Sequence, residues 1–249
     1  MSWPSDETRV GVFETLAVVR GRPVALDAHW RRLCESQQTV GRARPPASVK
    51  ALIRRAAKRA DGLRVALTTT ALAPMTVEIL PRTSRRPPAT GVTVVTATGR
   101  APSAAAVPAQ VKTIERIPSV LAWGETGARP PFEILWCNAQ GLLTEGTVSN
   151  LFLVRRGRII TPPRWVGALP GVVRQAVCRL ARRLKISVEE TPVTRHELYI
   201  AEEAFVTNSL VGVVPIRVAD GRRVGSRCPG PVTRRLQRAY AAAIRRRAA

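Results

Sequence analysis

Histidine, cysteine, aromatic residues and lysine are all scarce in this chain, and each shortage excludes something. Two histidines and four scattered cysteines, none in a CxxC pair, leave a zinc cluster or a disulfide framework without its parts. Aromatics amount to 4%, too few for a base-stacking platform. No apolar run reaches the ~18 residues that a membrane span needs, so no membrane partner is expected. The first residues, MSWPSDETRV, are polar and acidic, which fits neither a signal peptide nor an Arg-rich transit peptide. A reduced, cytoplasmic protein is the expectation.

What is present is a globular composition. A chain of 249 residues, 45% hydrophobic, can bury a sizeable core as one large domain or two moderate ones. Its net charge of +23 comes from 40 basic against 17 acidic residues. A charge of that size suits nucleic acid. Here, however, the arginines are scattered pairs such as Arg31-Arg32, Arg85-Arg86 and Arg222-Arg223, with one terminal triplet, Arg245 to Arg247. No zinc-finger spacing or RRM motif accompanies them, so a nucleic-acid partner is not expected. A solvated basic surface would instead attract small anions.

Along the chain, VGVFETLAVVRGRPVAL reads as two strands around an RGRP turn. LDAHWRRLCESQQTVG reads as a helix with Asp27 as N-cap and Gly41 as its stop. A second helix, PASVKALIRRAAKRADG, places Leu52, Ala56 and Ala60 at helical spacing. LRVALTTT, MTVEILP and GVTVVTAT are three strands that complete an N-terminal α/β layer. The Pro/Ala-rich stretch over about 99–110 reads as a linker between domains at 1–107 and 108–249. Beyond it come a short helix at ERIPSVLAWGE and three or four strands in FEILWCNAQGLLTEGTVSNLFLVRRGRIITPP. The strongest helix, GVVRQAVCRLARRLKI, follows, with Val173, Val177, Leu180 and Leu184 on one face. ISVEETPV, EEAFVTNS and VGVVPIRVADG then read as strands, and RCPGPVTRRLQRAYAAAIRRR closes as a helix. His29 and His196 are expected on helix surfaces or caps.

The scarcity of lysine directs attention to the four that remain. Lys50, Lys58 and Lys185 read as parts of solvated helix faces, but Lys112 opens KTIERIPSVLAW after the linker. In a chain that otherwise writes arginine, a lysine there asks for a primary amine. Glu145, in LLTEGTVSN, is a carboxylate inside an apolar strand pattern, which a water-facing turn would also explain. ALPGVVR, 168–174, opens a helix whose first amides are unpaired donors suited to phosphate. Asn208 and Ser209 end an apolar strand, to cap it or to bind an anion. There is no GxGxxG and no P-loop. Amine, carboxylate and anion cradle together suggest pyridoxal phosphate, whose aldehyde condenses with a lysine amine and not with a guanidinium.

The sequence also resembles the class IV (fold-type IV) pyridoxal-phosphate enzymes. The pieces that carry the resemblance are GVFETL, HWRRL, KTIERI, LLTEGTVSNLFLV, ITPP, ALPGVVR and EEAFVTNSLVGVVPI, in family order over most of the chain. The resemblance implies an α/β fold of two domains, each a sheet packed with helices, with the cofactor between them in a homodimer. It gives Lys112 the role of cofactor-bearing, proton-shuttling lysine and pairs Glu145 with the pyridine nitrogen. It assigns Arg32, the amides of Val172 and Val173, and Ser209 to the phosphate, packs Leu169 against the ring and makes Asn208 a neighbour. The family's opening strand before FET is missing, which implies a reduced N-terminal layer or a start lying elsewhere.

Within the family, Lys112-Thr113, Arg116 and Phe13-Glu14-Thr15 are similar to the 4-amino-4-deoxychorismate lyases. Branched-chain aminotransferases usually carry glycine at Thr15 and tyrosine at Ile117. Thr15 and Arg64 are candidate substrate contacts. Against the lyase pattern, Glu115 replaces an asparagine and Ala17 an arginine. The expected activity is that lyase reaction on a small anionic amine. A D-amino-acid or branched-chain aminotransferase is the alternative, and a non-catalytic basic binding protein on the same scaffold is a third.

Overall fold

The structure is a computed structural model that describes residues 10–69, 75–83, 86–97 and 111–248. The chain divides into two compact units, one of Met1–Ser84, Val111–Arg116 and Ile244–Ala249, the other of Arg85–Gln110 and Ile117–Ala243.

The first unit is a four-stranded antiparallel sheet in the order β2-β1-β3-β4, with β1 at Val10–Val19, β2 at Arg22–Pro23, β3 at Gly62–Thr69 and β4 at Thr76–Pro81. Two helices, α1 (Leu26–Thr39) and α2 (Ala47–Ala57), cover one face. Strand alternation sends Val12, Leu16, Val18, Leu63, Val65 and Leu67 into a core with Leu26, Leu33, Val49 and Ile53. Two readings change here. The residue before α1 is Ala25 at φ 53, without a side-chain cap, while Asp27 sits in the first turn and binds Lys50. On α2 the buried face is Val49, Ile53 and Ala57, and Leu52 is 37% exposed. The face expected from Leu52, Ala56 and Ala60 lies one residue round the helix, because the bulk of Ile53 outweighs the alanines in filling the core.

The second unit is a ten-stranded mixed sheet with the path β10-β9-β8-β12-β13-β5-β6-β7-β11. Its strands are β5 (Val92–Thr96), β6 (Glu133–Cys137), β7 (Leu142–Gly146), β8 (Asn150–Arg155), β9 (Arg158–Thr161), β10 (Val188–Glu190), β11 (Val193–Thr194), β12 (Glu203–Asn208) and β13 (Gly212–Ala219), with β14 (Arg222–Arg223) paired to β13. Helices α3 (Ile117–Gly124), α4 (Val172–Arg183), α5 (Arg195–Tyr199) and α6 (Pro231–Ala248) complete the described elements. α4 buries Val173 and Val177 as its periodicity predicts, and Leu180 and Leu184 are half-buried.

β5 was expected in the N-terminal layer. It instead runs parallel to both β13 and β6 in the second unit, with Val92 and Val94 buried there. The change of unit therefore precedes the expected boundary at 107/108, and residues 111–116 belong with the first unit. The expected linker, at about 99–110, lies outside the described residues.

Candidate active site

In the first unit, the two faces of β1 carry different chemistry. On the helix side, between Val12 and Leu16, stands Glu14, 1% exposed. Its carboxylate accepts from Arg32 Nε at 2.6 Å and Nη2 at 2.8 Å, and lies 2.7 Å from His29 Nδ1. His29 and Arg32 are three residues apart on α1, so one helix face presents both to the acid. Burial works against the Glu14 charge, but the Arg32 guanidinium and then His29 outweigh it and hold its pKa down to about 2. Sequence reasoning gave Glu14 no role and put His29 on a surface, yet His29 is buried. The available signal was an acid on the apolar phase of a strand, which requires a buried partner. Arg32, expected at a phosphate, commits two nitrogens to that acid.

The opposite face of β1 holds Phe13 and Thr15. The segment around Lys112 lies along this strand: Phe13 N donates to Lys112 O and Ile114 N to Gly11 O, both at 2.9 Å, and Val12 bridges Thr113. Gly11 permits the approach, since a Cβ there would stand 2.3 Å from Ile114 Cδ1. Lys112 Nζ lies 4.5 Å from the centre of the Phe13 ring and Arg64 Cζ 4.3 Å. Arg64 sits opposite Thr15 in the β1–β3 register, which puts both on the Phe13 face. Three sequence candidates, Lys112, Arg64 and Thr15, therefore gather around one aromatic ring.

In the second unit, Glu145 stands near the end of β7. Its Oε2 accepts from Asn150 Nδ2 at 2.8 Å and from Leu169 N at 3.0 Å, and Asn150 Nδ2 also donates to Leu169 O at 2.9 Å. Asn150, unassigned by sequence reasoning, thus ties the carboxylate to the segment that leads into α4. That segment passes so close that a Cβ on Gly171 would lie 1.9 Å from Asn150 Oδ1. Gly171 is the N-cap of α4 and no side chain caps the turn. The amides of Val172 and Val173 have no acceptor within the helix and stand at its positive end. Asn208 Oδ1 accepts from the amides of Leu210 and Val211. The Asn208 side chain therefore closes the turn that contains Ser209.

The chemistry of these donors fits pyridoxal phosphate: a primary amine in one unit, and in the other a held carboxylate followed by an uncapped helix start. Among the described residues no cluster of metal-ligating side chains occurs, and no described helix is long and apolar enough to cross a membrane.

Residues 11–219 match the amino-transferase class IV family, and the chain belongs to that family, whose members use pyridoxal phosphate. It is 41% identical over 103 residues to the branched-chain-amino-acid aminotransferase of Salmonella typhimurium, a match covering 41% of this chain and 33% of that enzyme. The chain thus matches about a third of the length of such relatives. The branched-chain aminotransferase of the thermophilic archaeon Thermoproteus uzoniensis, solved with norvaline, has a TM-score of 0.81 at 26% identity, covering 94% of this chain and 85% of that one. A Legionella pneumophila protein, provisionally described as a 4-amino-4-deoxychorismate lyase, has a TM-score of 0.83 at 21% identity over 93% and 90% of the two chains. That last likeness is one of fold. The family, fold class and cofactor expected from the sequence all stand.

Proposed function

We propose that this enzyme is a lyase that converts 4-amino-4-deoxychorismate into 4-aminobenzoate and pyruvate. The observation that carries the reading is the face around Phe13, where Lys112, Arg64 and Thr15 offer cations and a hydroxyl. Such a lining suits a substrate bearing carboxylates better than a branched aliphatic side chain. The surplus of positive charge favours capture of the same small anionic amine.

When bound, pyridoxal phosphate supplies an electron sink for the substrate carbon that carries the nitrogen. Lys112 takes the proton from that carbon. The electron pair left behind closes the aromatic ring as the bond to the enolpyruvyl oxygen breaks. The released enolate takes up a proton at its methylene carbon, in balance with the one held by Lys112, to become pyruvate. No oxidant and no second substrate are needed. Glu145, held by Asn150 and Leu169, keeps a proton on the pyridine nitrogen. The amides of Val172 and Val173, with Ser209, hold the phosphate, and Leu169 packs on the ring. Asn208 supports the turn that carries Ser209. The proposed enzyme is a cytoplasmic homodimer: its four cysteines are free, and α3 exposes Ile117, Val120 and Leu121 as an apolar surface for a second copy.

The match to branched-chain aminotransferases favours a second reading, transamination, with Lys112 and Glu145 in the same roles. Incubation of the holoenzyme with 4-amino-4-deoxychorismate and no 2-oxo acid separates the two. Catalytic, equimolar release of 4-aminobenzoate and pyruvate, lost in Lys112→Ala, is the expected result. A single turnover of an amino acid that resumes only with a 2-oxo acid would establish the transaminase.

A further inference from the structure

Besides Glu145, the second unit holds a glutamate whose donors are all neutral. Glu133, the first residue of β6, is 0% exposed. Its Oε1 accepts from Ile134 N at 2.9 Å, Thr147 N at 3.0 Å and Thr147 Oγ1 at 2.6 Å. Its Oε2 accepts from Val148 N at 3.2 Å and Ser149 Oγ at 2.6 Å. Four of these five donors belong to Thr147, Val148 and Ser149, the turn that joins Glu145-Gly146 to Asn150. Gly146 makes the arrangement possible, because a Cβ there would stand 2.6 Å from Glu133 Cδ and 2.5 Å from Ser149 Oγ. Glu133 therefore accepts four of the turn's bonds, with Thr147 N also reaching Ile134 O at 3.0 Å, and it passes beneath the residue next to Glu145.

We propose that Glu133 is a positioning residue: it fixes the Thr147–Ser149 turn, which sets Asn150, which in turn holds the Glu145 carboxylate on the cofactor side. The inference rests on the assignment of Glu145 to the pyridine nitrogen. Burial pushes the Glu133 carboxyl up, while Ser149, Thr147 and the amides of Ile134 and Val148 pull it back. A buried acid in that balance holds its place only while its donors are met.

The test is a double-mutant cycle on the full chain, with pyridoxal phosphate as the titrated ligand and its dissociation constant and visible absorbance band as readouts. Glu133→Gln places an amide nitrogen against the Val148 N–H and should weaken cofactor binding by roughly tenfold, the effect of one unmatched buried donor. In the Glu145→Ala background the same substitution should change affinity by less than about twofold, since the group it positions is gone. Ser149→Ala, a milder change, should show the same dependence if Glu133→Gln fails to fold. Equal effects in both backgrounds would overturn the positioning role and leave Glu133 a stabilising residue. If Glu145→Ala alone moves neither affinity nor the visible band, the assignment of Glu145 itself falls.

Discussion

Glu14→Gln offers the sharpest test of how the first unit is held together. Folding carries the Glu14 carboxyl from the ordinary value of 4.5 to about 2. That gap corresponds to about 3 kcal/mol of stability at neutral pH. The sign follows from proton binding. Because the folded value is the lower one, the unfolded chain takes up the proton first as pH falls. The contribution is therefore complete above about pH 5 and is lost progressively as pH drops toward about 2. Glutamine has nearly the same shape but no charge, so it imitates the protonated acid at every pH. Urea unfolding of the two proteins between pH 7 and pH 3 should give the variant about 3 kcal/mol less stability at neutrality, a size usual for breaking a buried ion pair from one side. The difference should shrink through the acid range, where the other carboxylates titrate alike in both proteins. A difference that stays constant as pH falls would refute the argument, because it would mean that shape and not charge pairing holds Arg32 and His29.

Two further outcomes can be checked directly. Gly171 has φ −63 and ψ 136, a conformation open to any residue, so Gly171→Ala acts through crowding, chiefly the 1.9 Å approach to Asn150 Oδ1, with Arg174 Cβ at 3.2 Å. It should weaken pyridoxal phosphate by at least about tenfold in a fluorescence titration; unchanged affinity would show that the loop yields freely. Burial pushes the Cys137, Cys178 and Cys228 thiols up, and reactivity follows the thiolate. A disulfide-exchange reagent near neutral pH should therefore react slowly with Cys34, Cys137 and Cys178, which are buried, and sooner with the half-buried Cys228, and all four free thiols should react once the protein is unfolded; prompt reaction of more than one thiol in the folded protein would contradict the buried placement.

Most elements were legible because periodicity reports which side of a helix or strand is dry. The failures have particular causes. On α2, Leu52-Ala56-Ala60 and Val49-Ile53-Ala57 are both apolar at helical spacing, and only the volume available beneath the helix chooses between them. β5 follows the N-terminal strands in sequence but pairs in parallel with β13 and β6, and parallel partners are set by distant residues that no local pattern reveals. At the candidate site, Lys112 and Glu145 stood out because their chemistry admits few substitutes. Glu14, His29, Asn150 and Glu133 did not, since each acts through a partner that only the folded chain brings near.

Two of the buried acids, Glu14 and Glu133, show why the kind of partner matters. Glu14 and Glu133 are the same residue at nearly the same burial, yet one is shifted down and the other up. Glu14 meets a guanidinium and an imidazole, whose attraction in a dry interior exceeds the cost of desolvation. Glu133 meets only amides and hydroxyls, which satisfy its oxygens without cancelling its charge. For the turn beside Glu145 the neutral solution has a chemical reason. A buried arginine at Glu133 would also be drawn to Glu145, two residues along the chain from Thr147, and would compete with the ring nitrogen that Glu145 is proposed to serve. Neutral donors can fix the turn without adding a cation there.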